Sequence, residues 1–330
     1  MELVVVNGAN AISRGVISKL AGKHYQKIKL LDFRPYRQSV YNFQRQLAGQ
    51  GIQLEKHMVQ NAAALEHGIE GASDVVYFTH DYCANAADKN SFIQGAAKLA
   101  KKHGVKKFVT VCPVENELFY TEDAKQPLQK QEEAQAHALK SNPNLTILNS
   151  DLVYGKGSHL LHYMAQCVEA GRIYGAIGSA SNHKFRPVSD EDLAKAVEHA
   201  LTNFSQVKGH NYILQGKDEA TLVDILHTLE VSLGKGEGST KLSNSLLRLN
   251  LSDYVEEFFV GITHDKNFRR LAEYFEAHRP NLSEGRTNFF EQHGLQLQSK
   301  GLKDTYQKIQ YREEDLIVPT FSNYKMTSLD

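Results

Sequence analysis

What this chain has little of narrows its identity before its motifs do. Cysteine is scarce: Cys83, Cys112 and Cys167 stand singly in 330 residues. Three scattered thiols make neither a disulfide framework nor a C-x-x-C metal pair, which points to a reducing compartment. Excess charge is absent, because 38 Lys+Arg balance 38 Asp+Glu. That argues against a dedicated nucleic-acid binder, whose phosphate contacts need a basic surplus, while leaving room for a local basic patch. Long apolar runs are absent as well: none approaches the ~20 residues of a membrane span. A strand expected from Glu2 leaves no room ahead of it for a signal or transit peptide. The expectation is a protein that stays where it is made, unless a presequence has been removed or targeting is internal. Histidine is plentiful, at 15 residues, but no H-x-x-x-H or H-E-x-x-H pair occurs. His162, His183, His199 and His210 are scattered, as surface or capping residues are, rather than grouped as metal ligands.

What is present is an ordinary globular mixture, 41% hydrophobic and 23% charged. The length suits one large α/β domain with an appendage, or two smaller domains. Apolar-rich runs at 2–7, 27–32, 52–58, 74–79, 107–112 and 145–150 have the length of strands buried on both faces. Helical patterns lie between them near 12–22, 38–48, 61–69, 88–103 and 124–140. The clearest places Phe92, Ile93, Ala96, Ala97 and Leu99 on one stripe and ends at Gly104. Such alternation implies right-handed crossovers and a doubly wound parallel sheet over residues 1–150.

After Asp151 the pattern changes. Residues 151–232 read as a helix at 158–170, short strands at 185–188 and 211–215, and helices at 189–201 and 219–231. Ser189 is the expected N-cap of the first of those two helices, with Asp190, Glu191 and Asp192 in its first turn. Residues 233–330 read as a mostly helical region, with segments near 240–260, 266–278, 284–293 and 301–312, followed by an extended tail.

The stretch VVVNGANAISRG joins the first strand to the first helix. A dinucleotide turn there uses three glycines: one for the tight turn, one for approach to the pyrophosphate, one for close helix–strand packing. Gly8 meets the first need and Ala11 adds one methyl at the second. Arg14 occupies the third, and Gly15 could serve if the turn held an extra residue. Gly8, Asn10, Ala11 and Ile12 are the candidate cradle, backed by the N–H groups and positive dipole of the helix start. Asp32 ends the second strand, where a carboxylate would hold a ribose hydroxyl. Arg34 and Arg37 follow, and a guanidinium there would instead match a 2′-phosphate. The alternative is a plain strand–helix connection followed by a solvated loop.

The ordered set VVVNGANAISRG, KIKLLD, HGVKKFVTVC, LTILNSDLVYGKG, FRPVSDEDLAKAVEHAL and GHNYILQGKDEATLVDIL resembles the extended and atypical short-chain dehydrogenases over roughly residues 1–232. That resemblance implies NAD(P) as hydride carrier, a Ser at the end of the fifth strand, and a Tyr-x-x-x-Lys pair whose Tyr moves the proton. Here Cys112 stands in the Ser position. With Lys130 aligned to the family lysine, Gln126 takes the place of Tyr, and Gln is no acid. Tyr120 and Lys125 are one residue too far apart, and on a helix that extra residue rotates the pair by ~100°, so they would not face the substrate together. Cys112, ahead of Pro113, reads as inert packing unless His80 or His137 activates it.

The segment FFEQHGLQLQSKGLKDTYQKIQYREEDLI is similar to the end of the dehydrogenase-like accessory subunits of mitochondrial respiratory complex I, through Phe290, Gly294, Leu295, Gln296, Leu302 and Tyr306. This second resemblance implies a catalytically silent subunit that holds NADPH (or NADP/NAD, or none). It would lie on the matrix side of the mitochondrial inner membrane, partnered by other subunits of a large respiratory complex, with no membrane span of its own. Patches such as VEEFFVGI at 255–262 would then meet neighbours, unless they pack on their own domain. The alternatives are a soluble, cytoplasmic NAD(P)-dependent reductase or epimerase, and an NmrA-like dinucleotide-sensing regulator.

Overall fold

The computed structural model describes residues 2–9, 11–33, 38–79, 86–113, 127–155, 184–236, 241–243 and 286–297, with Leu161, Ala165, Val168, 172–174 and Gly301 besides. In chain order the first half alternates: β1 (Glu2–Val6), α1 (Ala11–Leu20), β2 (Lys27–Asp32), α2 (Gln38–Ala48), β3 (Gln53–Met58), α3 (Ala62–Ile69), β4 (Asp74–Phe78), α4 (Ala86–Lys102), β5 (Lys107–Pro113), α5 (Pro127–Ser141) and β6 (Leu145–Ser150). The second half carries shorter elements: β7 (Val153–Tyr154), β8 (Arg172–Tyr174), β9 (Lys184–Phe185), β10 (Val188–Ser189), α6 (Asp190–Thr202), α7 (Phe204–Val207), β11 (Asn211–Leu214), β12 (Ala220–Thr221), α8 (Leu222–Ser232), β13 (Lys241–Ser243), β14 (Thr287–Asn288) and α9 (Phe289–Gln292).

Eight strands form one sheet in the order β14-β11-β6-β5-β4-β1-β2-β3. Every pairing in it is parallel, with β1 flanked by β2 and β4. This is a doubly wound Rossmann-type sheet, extended on one side by β11 and β14. Its central strands are rich in apolar residues because both faces are covered. Successive side chains of a strand point to opposite faces. Leu3 and Val5 therefore join the core formed with α1, α2 and α6, and Val4 and Val6 join that formed with α3, α4 and α5. Burying one such side chain stabilises the fold by ~1.5–3 kcal/mol.

Helix ends follow local chemistry. Ser189 caps α6 by accepting from the Asp192 N–H at 3.0 Å. Thr221 and Asp224 form a reciprocal capping box on α8. Gly104 ends the α4 turn at φ +66°, a conformation costly for residues with a Cβ. The expected strand at 185–188 is split: Lys184–Phe185 pairs with β12 and Val188–Ser189 with β7. Two helical expectations are corrected. Lys241–Ser243, expected at the start of a helix, is a strand paired with Arg172–Tyr174. The 284–293 segment is first a strand, Thr287–Asn288, because its backbone pairs with Tyr212 and Ile213; only then does Asn288 cap the short α9. The expected helices at 266–278 and 301–312 and the patch at 255–262 lie outside the described residues. Among the described residues no helix is long and apolar enough to cross a membrane.

Candidate functional site

The strand order reverses between β1 and β4, and a crevice opens at such a point outside the carboxyl ends of the strands. Asn7 follows β1 there with φ +56°, a left-handed conformation that Asn tolerates better than most residues. Its backbone N–H donates to Leu31 O at 2.7 Å. Its side-chain Nδ2 donates to Phe78 O at 3.2 Å and Thr79 O at 3.3 Å. One residue thus ties together the ends of three neighbouring strands at the point of reversal.

Gly8 comes next. A Cβ built on it would lie 2.2 Å from Leu30 Cδ1 and 2.7 Å from Val5 Cγ1, both on fully packed core side chains. The glycine is required by this close passage over β1 and β2. The Ala9 N–H then donates to Asp32 Oδ2 at 3.0 Å, so the turn is latched to the end of β2. Asp32 is 2% exposed. Helix α1 starts at Ala11 with no acidic residue in its first turn. Its N-terminal N–H groups and dipole therefore meet no competing carboxylate from that turn, which favours an anionic group in front of it. Ile12 points into the core. The structure thus brings together Gly8, the start of α1 and Asp32. Asn10, Arg34, Arg37 and Gln126 lie outside the described residues.

The third-glycine expectation is corrected. Gly15 sits on the exposed side of α1 with nothing within 4 Å of a Cβ built on it. It does not mediate helix–strand contact; Ile12, Val16 and Ile17 do. A single residue along a helix turns the side chain by ~100°, so positions that sequence spacing treats as near-equivalent face different ways.

On the other side of the crevice, Cys112 is 2% exposed and packs among the apolar side chains under α3, α4 and α5. A thiol so enclosed is suited to packing rather than nucleophilic attack. His137 is exposed on α5, and His80, Tyr120 and Lys125 lie outside the described residues. Lys130 is the fourth residue of α5, in its first turn. The described tyrosines with a perturbed hydroxyl all shift the wrong way for proton donation. Burial pushes Tyr154 up to about 12, with the charges of Asp192 and Asp218 adding to it. Burial also raises Tyr212, and burial together with Asp74 raises Tyr25.

Two buried polar features were not anticipated from the sequence. Gln135 Nε2 donates to Asn149 Oδ1 at 2.7 Å, Asn149 Nδ2 to Asn211 Oδ1 at 2.5 Å, and Asn211 Nδ2 to Gln135 Oε1 at 3.0 Å. This closed ring of three amides pins α5, the helix of Lys130, to β6 and β11. The one available signal was Asn149 itself, an amide near the end of the apolar-rich LTILN run. The second feature is Asp151, just past β6. Its carboxylate accepts from the Arg186 N–H and the Leu152 N–H, each at 2.8 Å. Burial pushes its pKa up to about 6 against the pull of those two bonds. Among the described residues no group of three His, Cys, Asp or Glu side chains is arranged to hold a metal ion.

No protein-family model matches the chain, and no curated protein matches it in sequence. Solved structures do match in fold. A nucleoside-diphosphate-sugar epimerase from Staphylococcus aureus superposes with a TM-score of 0.65 at 12% identity, over 93% of this chain and 100% of its own. The triphenylmethane reductase of Citrobacter sp., complexed with NADP(H), gives 0.60 at 16% identity over 93% and 99%. An NADPH-dependent quinone oxidoreductase from Escherichia coli gives 0.56 at 15% identity over 92% and 98%. At these identities the similarity shows a shared Rossmann-type fold.

Proposed function

We propose that this chain binds a nicotinamide dinucleotide (NADPH, NADP or NAD) across the crevice between β1 and β4, as a protein of the reductase and epimerase type. The observation that carries the reading is the Gly8–Ala9 turn latched to Asp32 in front of an acid-free helix start. The residues present fit the group. The N-terminal N–H groups of α1, behind Gly8, Asn10, Ala11 and Ile12, would face the pyrophosphate. Asp32 would face the adenosine ribose, and Arg34 and Arg37, which follow β2, suit a 2′-phosphate. The fold neighbours that are complexed with NADP(H) or described as NADPH-dependent support the same reading. When bound, the nicotinamide supplies a hydride. The chain's own part is to anchor the phosphates, to keep Asp32 and the turn as one unit, and to hold α5 against β6 and β11 through the amide ring.

A second reading has separate support. Gln126 stands where the family acid belongs, Cys112 is enclosed, and Phe290, Gly294 and Leu295 sit in an ordered turn, with Leu295 N–H donating to Phe290 O at 2.9 Å. The first two suit a catalytically silent chain; that it is an accessory subunit of respiratory complex I, on the matrix side of the inner membrane among partner subunits, is supported by the sequence likeness of its C-terminal segment alone.

Thermal melting of the purified chain with and without NADPH tests the binding reading. Saturating dinucleotide raises the midpoint in a concentration-dependent way, because a ligand bound only by the folded state stabilises it by mass action. An unchanged midpoint with NADPH, NADP and NAD refutes it. NADPH oxidation with quinone or carbonyl acceptors, against migration of the endogenous protein with a large membrane complex on native gels, then separates the two readings.

A further inference from the structure

Away from the crevice, at the β14 edge of the sheet, a group of aromatic rings packs residues 286–297 against β11 and α6. His293, which ends α9, packs on Phe289 at 4.6 Å, His199 of α6 at 5.0 Å and Tyr212 of β11 at 5.6 Å between ring centroids. Tyr212 stacks in turn on Phe289 at 5.0 Å and lies 5.8 Å from His210. Among the described residues, the buried Nε2 atoms of His199 and His293 and the buried hydroxyl of Tyr212 have no hydrogen-bond partner. Buried polar atoms are nearly always satisfied, so three orphans in one cluster require an explanation.

We propose that the His199–His293 stack is a proton-operated latch, which holds residues 286–297 on the sheet while both imidazoles are neutral and releases them when either becomes charged. Neutrality is built into the geometry. Asn203 Nδ2 lies 3.3 Å from His199 Nδ1, so that nitrogen faces a donor and has no acceptor for an added proton. The neighbouring groups add no compensating charge. On β11 and just before it stand Tyr212 and His210. On α9, Glu291 directs its carboxylate to Asn288 Nδ2 at 3.1 Å and towards Arg186 at 3.9 Å. Arg286 is engaged by Glu132 of α5 at 3.1 Å. On α6, Glu198 is taken up by Lys23 and His24, and Lys195 by Asp192. Burial lowers the pKa of His199. Burial, then repulsion from His199 and His210, lowers that of His293. A folded-state pKa below the unfolded value means that the contribution is complete above the unfolded value and is lost as pH falls through the folded one. What the latch holds is substantial: Phe289 and Phe290 belong to the main core, and the backbone of β14 supplies the eighth strand. Release would strip that strand from β11.

Hydrogen exchange of the full-length chain, corrected for intrinsic rates and followed from pH 7.5 to pH 5 (roughly one and a half units beyond the ordinary histidine value), is the test. The expected result is selective loss of protection in 287–295 and in β11, while β1, β4 and β5 stay protected. His293→Phe and His199→Phe, which keep a ring in the stack but cannot be charged, should remove the pH dependence of that local loss. If either variant does not fold, proton NMR of the wild-type imidazoles decides: both titrate below the ordinary histidine value, in step with shifts of the Phe289 and Phe290 rings. Protection that falls evenly across all strands, a local loss that persists in the folded Phe variants, or imidazoles that titrate without moving the Phe rings would each overturn the proposal.

Discussion

Replacing Gly8 by alanine isolates the tightest point of the candidate site. The added methyl would lie 2.2 Å from Leu30 Cδ1 and 2.7 Å from Val5 Cγ1, well inside contact distance. Leu30 is fully buried in β2 and Val5 nearly so in β1, so neither can swing into solvent. Forcing a methyl into such packing costs ~1–3 kcal/mol. Alone, Leu30→Ala costs ~2–5 kcal/mol through the cavity it leaves. The double variant Gly8→Ala/Leu30→Ala should fall short of the summed costs by ~1 kcal/mol or more, because the new methyl occupies part of that cavity. Urea unfolding followed by far-ultraviolet circular dichroism suits a chain that has no tryptophan. The single variant should also weaken dinucleotide binding, since the strain moves the Ala9 N–H away from Asp32. A Gly8→Ala chain as stable as wild type, or strictly additive costs in the double variant, would refute the close-approach argument.

Three further outcomes follow from the same geometry. Asn7→Ala should destabilise by ~2–4 kcal/mol, from two lost side-chain bonds and from alanine's poorer tolerance of the left-handed region, and Asn7→Gly should be the milder by ~1 kcal/mol because glycine adopts that conformation freely; equal costs in urea titrations would contradict this. Because the Asp151 carboxyl is pushed up to about 6 in the fold, its contribution is complete below its unfolded value and is lost as pH rises through 6, ~3 kcal/mol in all for a shift of about two units. Unfolding free energies of wild type minus Asp151→Asn, measured from about pH 4 to about pH 7.5, should fall with rising pH, and a flat difference counts against it. Tyr25→Phe removes the 2.5 Å hydrogen bond to buried Asp74 and leaves that carboxylate with Lys107 at 3.5 Å. The cost should be ~1–3 kcal/mol in the same assay, and a neutral variant would show that the hydroxyl does not support Asp74.

The sheet was legible in the sequence because its inner strands are covered on both faces and so carry short apolar-rich runs; 27–32 and 145–150 are matched to the residue. The α6 start was legible because Ser189 followed by three acids is a purely local signal. β13 and β14 were not, since pairing with strands more than sixty residues earlier leaves no mark in KLS or TN. At the site, Gly8 and Asp32 were readable from spacing along a strand–turn–helix unit. The role of Gly15 was misread because spacing does not say which side of α1 meets the sheet. Asn7 and the Asn149 ring were missed because their partners, Phe78, Thr79, Gln135 and Asn211, come together only through the fold. His199 and His210, scattered in sequence, become neighbours of one aromatic cluster by the same route.

Calorimetric titration of the purified full chain with NADPH and with NADH tests the central claim most directly. The account predicts saturable, one-to-one binding of at least one of them, weakened in Gly8→Ala and in Asp32→Ala while both variants stay folded. A folded wild-type chain that takes up neither dinucleotide would contradict it.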